Sequence, residues 1–134
     1  MLPNYRIDEF GVIHQVEFTP IVYDKKYISY YEDLSDRTIK LGYQRMGWLL
    51  GLMGRIPSSA LEIGYGTGTF IEAAEITGVP DCAGYDIAHY PLPDNVRFVE
   101  WEDALAREWD LVAMFDVLEH IPDFGAALKE CARL

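Results

Sequence analysis

The feature that most limits how this chain can fold is a glycine-rich stretch between two segments of different pattern. The apolar run 60–63 predicts a short buried strand, and the run 69–77 predicts a helix. Between them, Gly64, Gly66 and Gly68 are spaced as G-x-G-x-G. Glycines at such a turn let the backbone approach a ligand, because no β-carbon stands in the way. The sequence therefore predicts a strand–loop–helix unit whose loop can bind a ligand.

Further short apolar segments follow this unit and predict more strands. They cover 81–86, 96–99 and 111–115, and a helical pattern begins near Asp123. Strands that alternate with helices are typical of βαβ units, in which the strands are parallel and the crossovers right-handed. We therefore expect an α/β fold with a parallel sheet of about four strands, flanked by helices.

The chain before residue 58 has a different composition, and we predict an N-terminal extension over 1–57 and a ligand-binding domain over 58–134. Apolar residues recur at three- and four-residue steps over 36–53, which predicts an amphipathic helix capped by Ser35 and ended by Gly54. Glycines inside it cost about 1 kcal/mol each relative to alanine. They are Gly42, Gly47 and Gly51.

The extension is rich in tyrosine, and its tyrosines have two possible roles. Tyr23, Tyr27, Tyr30 and Tyr31 could form an aromatic lid over a ligand, or they could pack a helix against the sheet. We favour packing, with Tyr27 and Tyr31 on one helical face. Apolar and polar residues alternate in part over 12–18, so this segment could form a strand.

Two acids follow predicted strands. Glu62 ends the first strand, where a carboxylate is costly to bury unless it meets donors. Asp86 ends the second strand, where an acid can accept both ribose hydroxyls of an adenosine ligand. A surface turn is the alternative interpretation for Asp86, and the neighbouring glycine loop favours the ribose role.

Charge and cysteine content restrict the function classes. The formal charge of −11 argues against nucleic acid as the main partner, because phosphate contacts need clustered Lys and Arg. Cys82 and Cys131 have neither metal-ligand spacing nor a disulfide framework, so we expect reduced thiols and no metal site. No signal peptide is visible, and no apolar run approaches the ~20 residues of a membrane span. We predict a cytoplasmic protein without a membrane partner.

Together, the segments 61–70, 84–87, 102–104 and 109–121 resemble motifs of the class I S-adenosylmethionine-dependent methyltransferases. The resemblance covers the chain from Ser58 onward. It implies a Rossmann-like fold, S-adenosylmethionine as the cofactor and S-adenosylhomocysteine as the product.

The resemblance implies a role for each matching residue. Asp86 would hold the ribose hydroxyls, and Ile87 would pack on the adenine. Asp103 would meet the adenine amino group, with Glu102 as its competitor, although a solvated turn acid is an equally good interpretation of Asp103. Asp116 would contact the cofactor beside the reactive sulfonium. The remaining cofactor-binding residues would be those of the loop: Glu62, Gly64, Tyr65, Gly66 and Gly68.

Asp116 and His120 are the candidate catalytic residues, because both follow the fourth strand near the expected position of the sulfonium. A base is needed only when the nucleophile must lose a proton. For His120 we favour a capping or packing role at the start of a helix, and we expect Glu119 to serve the helix N-terminus.

The family fold has seven strands, and this chain supplies about four, in the implied order 3-2-1-4, before it stops at Leu134 inside a helical pattern. The fourth strand would be an open edge, which proteins normally cover. We expect either a truncated form or a second copy or other partner that covers the edge.

The leading hypothesis is therefore a methyltransferase that acts on an unidentified acceptor, for which we expect a small molecule. A non-catalytic S-adenosylmethionine-binding module, completed by a partner, is the alternative. A nicotinamide-dependent oxidoreductase is disfavoured, because Thr69 stands where the dinucleotide fingerprint has its third glycine.

Overall fold

The computed structural model of the chain describes residues 5–7, 9, 11, 13–16, 22–24, 26–27, 29 and 35–134. Its strands are β1 (Tyr5–Ile7), β2 (Ile13–Gln15), β3 (Ala60–Ile63), β4 (Cys82–Tyr85), β5 (Arg97–Phe98) and β6 (Leu111–Met114). Its α-helices are α1 (Ser35–Met53), α2 (Thr69–Ile76), α3 (Trp101–Leu105) and α4 (Phe124–Cys131). A 3-10 helix covers Leu118–His120.

Strands β3 to β6 form one parallel sheet in the order β5-β4-β3-β6. This arrangement confirms the predicted α/β fold and the predicted strand order. Ile63, the last residue of β3, pairs with Tyr85 of β4 and with Met114 of β6. The carboxyl ends of these strands therefore meet at one edge, where ligands of open α/β sheets bind. Strands β1 and β2 form a separate antiparallel pair.

The two faces of the sheet are covered by different helices, because side chains alternate along each strand. Ala60 of β3 packs in the cluster that contains Met46 of α1 and Phe70 of α2. Leu61 of β3 packs in the opposite cluster, which contains Ala104 of α3 and Trp109. Glu62 follows the alternation of Ala60 and therefore lies on the face covered by α1 and α2.

Helix α1 packs closely on the start of α2. A β-carbon at Gly42 would lie only 2.7 Å from the carbonyl carbon of Thr69, so glycine is required at this crossing. Helix α1 ends as predicted at Gly54, which has a left-handed φ of +66° and donates its N–H to the Leu50 carbonyl. The predicted cap, Ser35, begins the helix, but its side chain is outside the described ones.

Several local predictions are wrong. The segment 102–104, which resembles the family's loop after the third strand, is part of helix α3. The helix expected to continue to Leu134 ends at Cys131. Its N-cap is Asp123, whose carboxylate accepts the Ala126 N–H at 2.9 Å. Glu119, which we expected at a helix N-terminus, lies in the first turn of the 3-10 helix.

In the part of the chain that the structure describes, no second strand pairs with β6, which has β3 as its neighbour. Over the same residues, no helix combines the length and the apolar composition that a membrane crossing requires. The domain boundary near residue 57 stays a prediction.

Candidate functional site

The glycine loop reverses direction between β3 and α2 through left-handed backbone conformations. The φ angles of Gly64, Gly66 and Gly68 are 70°, 54° and 74°, values that side-chain-bearing residues rarely adopt. A β-carbon at Gly64 would overlap the Val117 side chain, so this glycine is required by packing. A β-carbon at Gly66 would meet nothing within 4 Å. The space above Gly66 is therefore open to a ligand.

Asp86 is buried beside this loop, with only 8% of its surface exposed. Its Oδ2 accepts the Gly66 N–H at 2.9 Å, and its Oδ1 accepts the Ala88 N–H at 2.8 Å. These bonds orient the carboxylate, and each oxygen keeps a further lone pair. The side chain can therefore accept hydroxyl groups from a ligand above the loop.

Glu62 is the second buried acid of the site, with 4% of its surface exposed. Its Oε2 accepts the Ile71 N–H at 3.1 Å. Burial raises the pKa of Glu62 to about 8, and this effect outweighs the Ile71 hydrogen bond and the Arg45 charge, both of which lower it. Glu62 is therefore mainly protonated near pH 7, and a cation brought close to it would favour its ionised form.

Two cavities adjoin the glycine loop. The larger has a volume of about 460 Å³, within the usual range for ligand pockets, and Asp86 and Ile87 form part of its wall. The smaller has a volume of about 150 Å³ and is lined in part by Arg45 and Glu62. Gly64, Gly66, Asp116 and Tyr27 line both cavities. A ligand with two chemically different ends can therefore span the loop.

Asp116 lies where the two cavities meet. Its φ of +57° is unusual for a residue other than glycine, and such strain is often found at functional sites. Its carboxylate forms an ion pair with Arg45 at 2.8 Å, although its side chain is 77% exposed. The Arg45 guanidinium also lies 4.2 Å from the centroid of the Phe115 ring. The predicted position of Asp116 after β6 agrees with this location.

Of the other predicted residues, some line the larger cavity and some line neither cavity. Ile87 is 67% exposed and lines the larger cavity. His120 also lines it, but from the 3-10 helix and not from the start of an α-helix. Asp103 and Glu102 lie exposed on α3 and line neither cavity. Their predicted adenine contact is therefore not supported by their position.

Tyr65 and Gly68 have structural roles within the glycine loop. Tyr65 lines the smaller cavity, and its hydroxyl donates a hydrogen bond to the Tyr90 carbonyl oxygen. Burial raises the pKa of Tyr65 to about 12. Gly68 lines neither cavity and provides the left-handed N-cap of α2.

Sequence reasoning missed Arg45 and Tyr90, and the choice between the two roles of the tyrosines stays a prediction. Tyr23 and Tyr27 line the larger cavity, as the lid alternative requires. Tyr30 and Tyr31 lie outside the described residues. No sequence signal distinguished Arg45, because Gly42, which marks the face of α1 that approaches the loop, looks in the sequence like the other glycines of that helix.

Comparison with known proteins identifies a family and a relative. Residues 27–134 match a protein family described as a methyltransferase domain. The ubiquinone biosynthesis O-methyltransferase of Neisseria meningitidis serogroup A / serotype 4A (strain DSM 15465 / Z2491) is 26% identical over an alignment of 106 residues. The alignment covers 67% of this chain and 44% of that protein, so the chain spans less than half of the relative's length. No solved structure matches the chain significantly.

Proposed function

Because this chain belongs to the methyltransferase domain family, in its class I form, we propose that it transfers a methyl group from S-adenosylmethionine to a small-molecule acceptor. The observation that carries the proposal is the pair of cavities joined at the glycine loop. S-adenosylmethionine has a charged amino-acid end and a nucleoside end with vicinal hydroxyls. The smaller cavity has the groups that suit the first end, and the larger has those that suit the second.

In the smaller cavity, Arg45 and Glu62 suit the two charges of an amino acid. The guanidinium of Arg45 can donate to a carboxylate in a bidentate manner. The carboxyl of Glu62 would become ionised next to an ammonium, since the added positive charge offsets the cost of burial. Arg45 would exchange its present partner, Asp116, for the ligand carboxylate.

In the larger cavity, Asp86 and Ile87 suit a nucleoside. The Asp86 carboxylate is fixed by two backbone N–H groups and can accept a pair of hydroxyls. Ile87 exposes 67% of its surface in the cavity wall, where an adenine ring can cover it. The open space at Gly66 allows the sugar to lie against the backbone.

S-adenosylmethionine, when bound, supplies a methyl group on a positively charged sulfur. The nucleophile bonds to the methyl carbon as the carbon–sulfur bond breaks, and the bonding pair stays on sulfur. The chain's main contribution is alignment, which supplies much of the rate of such displacements. The relative's name indicates that its methyl acceptor is an oxygen atom. If the acceptor of this chain is also a hydroxyl group, His120, which lines the larger cavity, would take its proton.

Calorimetric titration tests the proposal. The wild-type chain is expected to bind S-adenosylmethionine and S-adenosylhomocysteine and not NAD. Gly66→Ala is expected to weaken S-adenosylhomocysteine binding at least tenfold, roughly 1.4 kcal/mol, because its methyl group would occupy the space of the sugar.

The matched control is Gly54→Ala. Gly54 has a similar left-handed φ, +66° against +54° at Gly66, and a β-carbon there also meets nothing within 4 Å. Both variants carry the same backbone strain of about 1–2 kcal/mol, but Gly54 lines neither cavity. Equal binding by the two variants, or tight binding of NAD alone, would contradict the proposal.

A further inference from the structure

The Tyr90 hydroxyl is a buried polar atom that the proposed cofactor contacts do not use. Among the buried side-chain oxygen and nitrogen atoms of the described residues, the Tyr90 hydroxyl is the one without a hydrogen-bond partner. An unsatisfied buried hydroxyl costs about 1–3 kcal/mol, so its presence calls for a reason. Tyr90 lines the larger cavity, where a ligand could supply the missing partner.

The position of Tyr90 is fixed by the glycine loop. Its carbonyl oxygen accepts the Tyr65 hydroxyl, and Tyr65 belongs to that loop. Burial, together with the charge of Asp86, raises the pKa of Tyr90 above its ordinary value of 10. The phenol therefore remains neutral at physiological pH and can donate its proton in a hydrogen bond.

The surroundings of Tyr90 are aromatic and apolar. Tyr23 and Tyr27 line the same cavity, and their rings make an edge contact with centroids 5.2 Å apart. Ile121 and Pro122 contribute further apolar surface. We call Tyr23, Tyr27 and Tyr90 the tyrosine wall. Aromatic walls of this kind bind flat apolar molecules through ring contacts.

We infer that the tyrosine wall binds the methyl acceptor, that this acceptor has a planar apolar body, and that the Tyr90 hydroxyl hydrogen-bonds an oxygen carried by it. The inference rests on the proposed function, since it names the acceptor class for the same site. Asp86 and Ile87 are assigned to the nucleoside, so the wall is the part of the cavity left for a second ligand. His120 lines that cavity too and would contact the acceptor oxygen that loses its proton.

The test compares two probes that differ in one hydroxyl, 2-naphthol and naphthalene, by fluorescence titration of the chain saturated with S-adenosylhomocysteine. Tyr90→Phe is expected to weaken 2-naphthol binding about three- to tenfold, as loss of one neutral hydrogen bond does. Naphthalene and S-adenosylhomocysteine should bind as before. Tyr43→Phe is the matched control, because Tyr43 is exposed on α1 and lines neither cavity.

Stability provides a second measurement. Because the hydroxyl has no protein partner, Tyr90→Phe should leave the thermal midpoint unchanged or raise it. A clear fall in the midpoint, an equal effect on both probes, no effect on either, or weaker S-adenosylhomocysteine binding would overturn the inference. If the wild type fails to bind S-adenosylhomocysteine, the proposed function fails. If it binds and only the probe comparison fails, this inference alone is wrong.

Discussion

Glu62 and Asp86 are both buried at the same edge of the sheet, yet their surroundings differ. Asp86 accepts two backbone N–H groups and lines the larger cavity, whereas Glu62 accepts one and lies under helix α2. Burial consequently raises the pKa of Glu62 to about 8. A carboxyl that is neutral without ligand and ionised beside an ammonium links cofactor binding to proton release.

The pH dependence of stability tests this difference. Between pH 4.5 and about 8, the unfolded chain releases the Glu62 proton while the folded chain keeps it, so the unfolding free energy falls as pH rises. Glu62→Gln removes this loss of about 1.4 kcal/mol per pH unit. Urea denaturation at about pH 5 and about pH 7.5 should therefore show a shallower fall for the variant than for the wild type.

Glu108→Gln, which changes an exposed acid, is the control and should keep the wild-type slope. If Glu62→Gln and the wild type lose stability equally over this interval, Glu62 is ionised in the free protein and the burial argument is wrong.

The single residues also show what the sequence could and could not predict. The glycine loop, Asp86 and Asp116 were predictable, because a strand end fixes where the next residues lie. Arg45 and Tyr90 were not, since their positions depend on how α1 packs and on a hydrogen bond from Tyr65. Asp103 is a different case: the resemblance implied an adenine contact, whereas the structure places this residue on helix α3, exposed and outside both cavities.

Helix α1 illustrates how tertiary packing decides the meaning of a glycine. Its glycines look alike in the sequence and weaken the helix equally by propensity. In the structure, Gly42 lies against the Thr69 backbone, whereas β-carbons at Gly47 and Gly51 would meet nothing within 4 Å. The element boundaries of α1 and β3 were predictable because Ser35 suits the start of α1 and because a glycine follows each element. The short α3 was missed, because five residues give too little periodicity.

Alanine substitutions at two glycines of α1 should therefore change the unfolding free energy in opposite directions. Gly42→Ala is expected to lower the unfolding free energy by about 1–3 kcal/mol, because the helix must move away from Thr69. Gly47→Ala should raise it by about 0.5–1 kcal/mol, since only the helix propensity changes. Urea denaturation measures both. Gly42→Ala as stable as the wild type would contradict the close packing of α1 on α2.

Across the whole chain, negative charge exceeds positive charge by 11. The ion pairs among the described residues include Arg45–Asp116, Arg55–Asp110 and Arg97–Asp81, and at least one side chain of each is about a third or more exposed. Such exposed pairs contribute only about 0–1 kcal/mol each. Repulsion between like charges should therefore dominate the electrostatics of the folded state.

Salt should accordingly stabilise the chain. Raising NaCl from about 0.02 M to about 0.3 M shortens the screening distance and weakens the repulsion more than it weakens the few pairs. We expect the urea midpoint to increase, with KCl giving the same result as a control for the cation. A midpoint that falls with salt would show that the ion pairs outweigh the net charge.

The hydrogen bond between Tyr65 and the Tyr90 carbonyl has a consequence for how such a site can diverge. The proposed cofactor end is built from the glycine loop and the ends of neighbouring strands, which the fold cannot easily alter. The tyrosine wall comes from other segments, and its Tyr90 is joined to the loop through that bond. If the proposed function holds, substitutions in the wall can therefore exchange one acceptor for another while the residues that bind the cofactor stay unchanged.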